Sequence, residues 1–322
     1  MNTPTFSVVI PLYNKADTIE RTLRSVEAQI FRDFEVIVVD DGSTDDGVSK
    51  VSNFKNTFHL RTVCQKNAGV SAARNRGVGE AKGDYIAFLD ADDVWHPEYL
   101  KELDRIIELH PDARFIGSSS AIICSDRVIR MPETGRIERI SFYDEWPIYS
   151  AIHTSSFAVA RTAFNRVGGF VEGHAYYEDA ELYYKLAKFY PLYVIRRNLE
   201  YYYRDALIRA CDKIPKTCLD CPHLQWAEQE LSKGSDDSSL KRCVRVQLLR
   251  QLVRYARCGD REMILLIIEH YPSISKLLPI VFFKSRWVNT VGLPILLAIS
   301  AWFLLKYRMR VREIRRKDVY FS

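Results

Sequence analysis

Short apolar runs alternate with helix-like patterns over the first third of the chain. Runs rich in β-branched and aromatic side chains are typical of strands, and they occupy residues 6–12, 34–40, 59–65 and 84–90. Elsewhere apolar residues recur every three or four positions, which predicts helices over 17–30, 45–54, 69–81 and 97–109. Strands alternating with helices favour right-handed crossovers. We therefore predict an α/β fold with a mostly parallel, Rossmann-like sheet covered by helices on both faces.

The regular alternation is lost after residue 110. The pattern then predicts strands near 114–124, 152–160 and 192–203 and a helix over 176–189, an added half that would complete a cleft. The small polar residues of 234–239 favour a linker, and the sequence beyond them has a helical, basic pattern. The predicted division is an α/β domain over 1–205 with halves 1–110 and 111–205, a linker over 206–240, and an appendage over 241–322.

Polar residues gather where the predicted strands end. They occupy Pro11–Asn14, Asp40–Asp45, Asn67–Gly69 and Asp90–Asp93. In open α/β sheets, ligands bind outside the carboxyl ends of the strands. Four separate strand ends with suitable chemistry predict a ligand site at that edge of the sheet.

Asp90, Asp92 and Asp93 place three carboxylates within four positions after an apolar run. Neighbouring carboxylates oppose each other's ionisation, so a cation is expected among them. In an extended chain Asp90 and Asp92 would share a face, an arrangement that suits Mg²⁺ or Mn²⁺ carrying a phosphate ligand. The alternative, that Asp92 or Asp93 merely introduces the helix near Pro97, explains one carboxylate and not three.

Charge is distributed unevenly along the chain. Residues 241–322 hold 17 Lys and Arg against 5 Asp and Glu, which leaves 29 of the 46 basic and 36 of the 41 acidic residues in 1–240. An acidic body argues against a general nucleic-acid-binding protein, whose binding face should be positive. The basic tail suits an anionic surface, first of all a lipid bilayer.

Trp287–Leu305 is an uncharged stretch long enough for a marginal membrane span. No signal peptide is evident, so the body is expected in the cytosol. One crossing would then carry the basic cluster of residues 306–317 outside, against the rule that basic residues stay on the cytoplasmic side. Three alternatives stay open: attachment in the plane of the membrane or by re-entry, a true span, and a tail helix buried in a homodimer.

The chain has seven cysteines, which a cytosolic location makes thiols rather than disulfides. One alternative is a zinc site formed by Cys211, Cys218, Cys221 and His223, but their spacing fits no common zinc template. Thiols in an ordinary loop are the favoured interpretation.

Four segments together resemble the inverting glycosyltransferases of family 2. They are FSVVIPLYN at 6–14, VVDDGSTD at 38–45, NAGVSAARNRG at 67–77 and FLDADD at 88–93. The resemblance implies the GT-A fold, with 1–110 as the nucleotide-binding half and 111–205 as the acceptor half. It also implies a nucleotide-sugar donor, most often a UDP-sugar, and Mn²⁺ or Mg²⁺ as cofactor. The Gln-x-x-Arg-Trp signature of processive members is lacking, so transfer of one sugar per encounter is expected.

The resemblance assigns roles to single residues. Asp41 would accept a hydrogen bond from the base, Asp40 would lie beside the ribose, and Pro11 and Tyr13 would line the base pocket. The bland alternatives are that 40–43 is only a turn and that Tyr13 belongs to the core.

The DXD motif of the family matches Asp90 and Asp92. Asp92 would ligate the metal, while Asp90 would lie at the ribose or an ordered water. Arg74 is a supporting candidate for the phosphates, with a solvated helix arginine as the alternative.

Asp179 matches the catalytic base that removes the acceptor proton, and Glu178 would support it. The alternative is that both are first-turn acids favoured by the helix dipole.

These roles predict an enzyme that moves one sugar, with inversion, to a saccharide or lipid-linked saccharide during surface-glycan synthesis at the cytoplasmic face of the membrane. A sugar nucleotidyltransferase is disfavoured because the first strand ends without a glycine-rich loop. A non-catalytic, membrane-associated nucleotide-sugar-binding protein remains the alternative, and it would have no use for Asp179.

Overall fold

A computed structural model describes residues 3–124, 127–145, 152–174, 176–204, 219, 221–257 and 261–277. By contacts within the chain these fall into two compact units. One comprises residues up to 140 together with 151–214, and the other comprises 141–150 together with the residues from 215 onward.

The first unit is built on one ten-stranded sheet. Its strands are β1 Phe6–Leu12, β2 Phe34–Asp40, β3 His59–Cys64, β4 Tyr85–Phe88, β5 Val94–Trp95, β6 Phe115–Cys124, β7 Arg127–Arg130, β8 Ile137–Ile140, β9 Phe157–Ala160 and β10 Leu192–Tyr203. The order is β3-β2-β1-β4-β9-β6-β10-β5, with β7 paired to β6 and β8 to β10. The segment β3-β2-β1-β4 is parallel throughout, as is the β6–β10 pair, while β9 runs antiparallel between β4 and β6.

Helices of this unit connect the strands. They are α1 Ala16–Glu27, α2 Gly47–Asn53, α3 Val70–Glu80, α4 Tyr99–Leu109, α6 Arg161–Val167 and α7 Glu178–Ala187, with a 3₁₀ turn at Thr154–Ser156. The apolar face of α1 illustrates why they form: Ile19, Leu23 and Val26 are all fully buried and stand three or four residues apart. The α/β class predicted from the pattern is confirmed.

Several boundaries differ from the predictions in detail. Helix α1 spans Ala16–Glu27 and has no side-chain cap, whereas the pattern predicts a helix over 17–30. Strand β4 ends at Phe88. The prediction that Asp90 and Asp92 share a face of an extended strand is therefore wrong, because both lie in a turn closed by a 3.0 Å hydrogen bond from the Asp93 amide to the Asp90 carbonyl.

The second unit is helical in the residues that the structure describes. Its helices are α5 Phe142–Glu145, α8 Pro222–Ser232, α9 Ser238–Arg257, α10 Arg261–His270 and α11 Pro272–Ser275. Glu228 accepts hydrogen bonds from the amides of Ser273 and Ile274, at 2.6 and 2.8 Å, and so satisfies the open amino end of α11. Helix α8 occupies part of the segment predicted as linker.

The predicted membrane segment 287–305 and the basic cluster behind it lie outside the described residues. Among the helices that the structure does describe, none combines the length and apolar character needed to cross a bilayer.

Candidate active site

Asp41 is fixed at the carboxyl end of β2. Its side chain is only 3 % exposed, and its Oδ1 accepts hydrogen bonds from the Ala68 amide and the Gln65 side chain, both at 2.8 Å. Its Oδ2 accepts from the Gly69 amide at 2.8 Å. Three donors hold the carboxylate in one orientation, and a carboxylate has about four acceptor positions, so one remains for a ligand.

The neighbouring strand ends are tied together by short polar contacts. Asn14 adopts φ 50°, and its side-chain oxygen accepts from the Thr44 amide at 2.8 Å while its own amide donates to Ser43 at 3.1 Å. Asp40 is buried and accepts from the Ser43 amide at 3.1 Å. The contact of Asp40 is therefore that of a turn residue.

Pro11 and Tyr13 lie at the same edge of the sheet. Pro11 is half-buried in register with Val39. Tyr13 is 48 % exposed, so it is not part of the core. The Asp41 amide donates to the carbonyl of Leu12, the residue before Tyr13, at 2.8 Å. The exposed ring of Tyr13 is a planar surface on which a base can stack.

The three aspartates after β4 face three different environments. Asp90 Oδ1 lies 2.8 Å from the guanidinium of Arg74, and Asp92 Oδ2 lies 2.6 Å from the ammonium of Lys15. Cations among the carboxylates were expected from the sequence. In the described residues those cations are side chains of this chain.

Asp93 has a structural role. It is buried, it accepts from Ser155 Oγ at 2.6 Å and from the Tyr203 amide at 3.2 Å, and Ser155 Oγ in turn accepts from the Asp90 amide at 3.0 Å. Burial, and next the charge of Glu200, raise the pKa of Asp93 well above its ordinary value. Asp93 and Ser155 thus hold the turn of residues 90–93, called the aspartate turn below, against β9 and β10.

Arg74 connects the two halves of the site. Its guanidinium is 3 % exposed and lies 2.8 Å from Asp90 and 2.9 Å from Glu178, with its carbon 5.2 Å from the centre of the Phe170 ring. Burial alone would lower its pKa, but the charges of Asp90 and Glu178 outweigh burial and raise it. The arginine is therefore a buried bridge between carboxylates and not a solvated helix residue.

Asp179 lies at the second position of α7, and this helix begins directly after a strained residue. Tyr177 has φ 58°, a conformation that costs a bulky side chain about 1–3 kcal/mol. Burial, followed by the charge of Glu178, raises the pKa of Asp179 from 3.8 to about 6, against the opposing influence of Arg74, the Ala180 amide and His153. A general base works best with a pKa near the operating pH. The first-turn position of both acids holds, as the helix-dipole alternative requires, but that position does not explain the raised pKa.

A buried acid and a histidine stand behind this base. Glu200 is fully buried in β10, and its carboxylate lies 3.7 Å from His153 Nδ1. Burial lowers the pKa of His153, but Glu200 and then Asp179 outweigh burial and raise it. His153 therefore brings positive charge towards Asp179.

The residues present fit a divalent ion held through a single carboxylate. Within the described ranges no three His, Cys, Asp or Glu side chains converge as a metal site would require. Mg²⁺ is commonly bound through one or two carboxylates, with substrate phosphates and water completing the shell. The Asp92 side chain is 17 % exposed, and its Oδ2 already pairs with the Lys15 ammonium. Its carboxylate oxygens therefore suit a divalent ion held in that way.

The predicted group of cysteines and histidine is only partly described. Cys211 and Cys218 lie outside the described residues. Cys221 and His223 are buried, and His223 Nε2 lies 3.0 Å from the side-chain oxygen of Gln247. Burial lowers the pKa of His223 to about 4, which keeps the imidazole neutral.

Sequence reasoning missed four residues of this site: Lys15, Ser155, His153 and Glu200. A charged residue within a buried strand is unusual and could have drawn attention to Glu200. Lys15 carries no such signal, because a lysine before a helix is ordinary.

The model of Glycosyl transferase family 2 matches residues 7–168. The amylovoran biosynthesis glycosyltransferase AmsB of Erwinia amylovora is 38 % identical over 170 residues, which are 48 % of this chain and 55 % of AmsB. The putative glycosyltransferase EpsH of Bacillus subtilis is 35 % identical over 139 residues, 42 % of this chain and 37 % of EpsH. The matches thus span about half of these relatives or less.

Among solved structures, residues 1–349 of TarS from S. aureus in complex with UDP-GlcNAc superimpose with a TM-score of 0.70 at 18 % identity, covering 99 % of this chain and 93 % of that one. At this identity the similarity concerns the fold. The family match covers half of the chain and includes the strand ends that hold Asp41 and the aspartate turn. This chain therefore belongs to glycosyl transferase family 2.

Proposed function

We propose that this enzyme moves one sugar from a nucleotide-diphosphate sugar, a UDP-sugar in the first instance, to a saccharide or lipid-linked saccharide with inversion at the anomeric carbon. One observation carries the proposal. Arg74 links Asp90, on the side of the aspartate turn, to Glu178, beside a carboxyl group whose pKa is raised to about 6.

The nucleoside is assigned to the ends of β1 and β2. Asp41 keeps one acceptor position open, which suits the N–H of a uracil ring, and the exposed ring of Tyr13 with Pro11 offers an apolar wall. Asp40 lies at the same edge for the ribose. The resemblance in fold to a protein solved with UDP-GlcNAc supports uridine as the first nucleoside to test.

The diphosphate is assigned to Asp92, through a divalent ion. A Mn²⁺ or Mg²⁺ ion on Asp92 would neutralise charge on the departing diphosphate. Asp90 is held by Arg74 and stays beside the ribose or an ordered water.

Asp179 then acts as the base in a single displacement. Its carboxylate takes the proton of the acceptor hydroxyl, the acceptor oxygen forms its bond to the anomeric carbon, and the bond to the diphosphate oxygen breaks on the opposite face. An α-linked donor gives a β-linked product. Glu178 keeps the pKa of Asp179 high, and Arg74 limits that increase.

Turnover of a panel of labelled nucleotide-sugars tests this assignment. Wild type should release nucleoside diphosphate and give an inverted product by NMR, whereas Asp179→Asn should lose at least about a hundredfold in kcat, as expected for loss of general base catalysis. Equal turnover by the two proteins would exclude Asp179 as the base. Donor binding without turnover by wild type would favour a non-catalytic binding protein.

Attachment to the cytoplasmic face of the membrane is part of the proposal, supported by the basic residues of 241–322. The full chain should float with phosphatidylglycerol vesicles at low salt, should be released at high salt if attachment is peripheral, and should not float with phosphatidylcholine vesicles. No flotation with either vesicle would remove this part. Light scattering on the purified chain would show whether it forms a homodimer.

A further inference from the structure

Lys15 occupies the cation position on the proposed metal ligand. Its Nζ lies 2.6 Å from Asp92 Oδ2, and the two side chains are 21 % and 17 % exposed. The pair is thus partly shielded from water, and such a charge pair is screened less than one on an open surface.

Side chains of α1 bond to the backbone around Asp92 and keep the pair together. Thr18 Oγ1 donates to the Ala91 carbonyl at 2.8 Å, and the Arg21 guanidinium donates to the Asp92 carbonyl at 2.9 Å. A third bond of 2.8 Å runs from Thr22 Oγ1 to the Asp93 carbonyl. The first turns of α1 therefore anchor the aspartate turn, and Lys15, directly before α1, is held within reach of Asp92.

The two cations beside the aspartates differ in burial and in the flexibility of their side chains. Arg74 is locked by Asp90, by Glu178 and by the face of Phe170. Lys15 has a flexible four-carbon stem and a partly exposed side chain, so its ammonium can swing aside while the backbone stays in place.

A lysine on a metal ligand opposes the metal. A divalent ion on Asp92 would meet the ammonium at close range, and like charges at such a distance repel strongly in a partly shielded site. A nucleotide diphosphate reverses the balance, because its phosphate oxygens can accept the ammonium as well as ligate the ion.

We propose that Lys15 holds the cation position on Asp92 until the donor arrives, and then moves its ammonium to the diphosphate. This inference rests on the proposed function of Asp92. Lys15 thereby makes metal binding depend on the nucleotide: the ion binds weakly to the empty enzyme and tightly with the diphosphate present.

Mn²⁺ titration followed by electron paramagnetic resonance tests the inference without turnover. In the absence of nucleotide, Lys15→Met should bind Mn²⁺ at least tenfold more tightly than wild type. In EDTA, the same variant should bind UDP at least tenfold more weakly, because the diphosphate loses its ammonium. The two changes have opposite signs, which general damage to the site would not produce.

Matched variants separate the causes. Lys15→Arg keeps the positive charge and should stay closer to wild type than Lys15→Met in both titrations. Lys241→Met removes another 2.6 Å lysine–aspartate pair, that with Asp236 in the helical unit, and should change neither. Thermal unfolding of each variant confirms that it is folded.

The inference is overturned if Lys15→Met binds Mn²⁺ no more tightly than wild type, or if its affinity for UDP in EDTA is unchanged. Asp92→Asn distinguishes this failure from a failure of the proposed function. Loss of Mn²⁺ binding in the presence of UDP supports Asp92 as the ligand, whereas unchanged binding contradicts the metal site itself.

Discussion

The raised pKa of Asp179 predicts the pH dependence of a Glu178→Gln variant. Burial is the larger cause of the increase and the charge of Glu178 the second, while Arg74 opposes both. The substitution removes the repulsion, and it also frees Arg74 from a carboxylate at 2.9 Å, so that more of the guanidinium charge acts on Asp179. Both effects lower the pKa of the base.

The magnitude follows from the size of the shift. A pKa raised from 3.8 to about 6 means that the ionised form is disfavoured by about 3 kcal/mol relative to water. Because the contribution of burial remains in the variant, only part of this shift should disappear. The acidic limb of the pH profile of kcat/KM should therefore move to lower pH by roughly one unit, about 1.4 kcal/mol.

The assay is the pH dependence of kcat/KM, which reports the ionisation of the free enzyme. Wild type should lose activity as the pH falls through about 6, and Glu178→Gln should retain its own plateau to lower pH. Arg74→Met should move the limb upward, because it removes a charge that stabilises ionised Asp179.

Glu181→Gln is the matched control. Glu181 is also an acid in the first turn of α7, but it pairs with Lys185 at 2.7 Å and is not among the leading causes of the shift at Asp179. An acidic limb that is unmoved in Glu178→Gln, or moved equally in Glu181→Gln, would refute the reasoning and favour a general helix-dipole effect.

Three further predictions concern stability and ligand binding. Asp179→Asn should raise the free energy of unfolding by up to about 3 kcal/mol at pH 7.5, because the raised pKa makes the ionised side chain destabilising above about 6; in urea denaturation the gain should disappear near pH 4. Asp41→Ala should abolish UDP binding in calorimetry and cost about 1–3 kcal/mol of stability, since it leaves two backbone amides without their acceptor; wild-type UDP affinity would contradict the base assignment. Gly77→Ala should cost about 1–3 kcal/mol because its methyl group would clash with Val9, whereas Gly79→Ala, with open space around it, should be neutral or stabilising; equal melting temperatures would contradict this packing argument.

Local pattern was sufficient to predict the frame that carries the site. A buried parallel strand needs an unbroken apolar run, and a covering helix needs apolar residues every three or four positions, so β1, β2, α1 and α4 are visible within short windows. The rule that ligands bind at the carboxyl ends of strands then places Asp41 and the aspartate turn at one edge before any contact is known.

Short antiparallel additions were not predicted. The exposed strand β7 forms by pairing with the long strand β6 that precedes it. The short strand β8 forms by pairing with β10, which is distant in the chain. Their own side chains have too weak a pattern to indicate a strand, because pairing and not local preference decides them.

The spacing of the three aspartates is enough to predict that positive charge lies close to them. Which residues supply it depends on how the chain folds: Arg74 reaches Asp90 from α3 and Lys15 reaches Asp92 from the start of α1, whereas Asp93 is buried against Ser155. These partners are 16, 77 and 62 residues apart in the chain, so no local pattern links them. Crossovers of the sheet bring them together, and the cost of a buried, unpaired charge fixes which side chains meet.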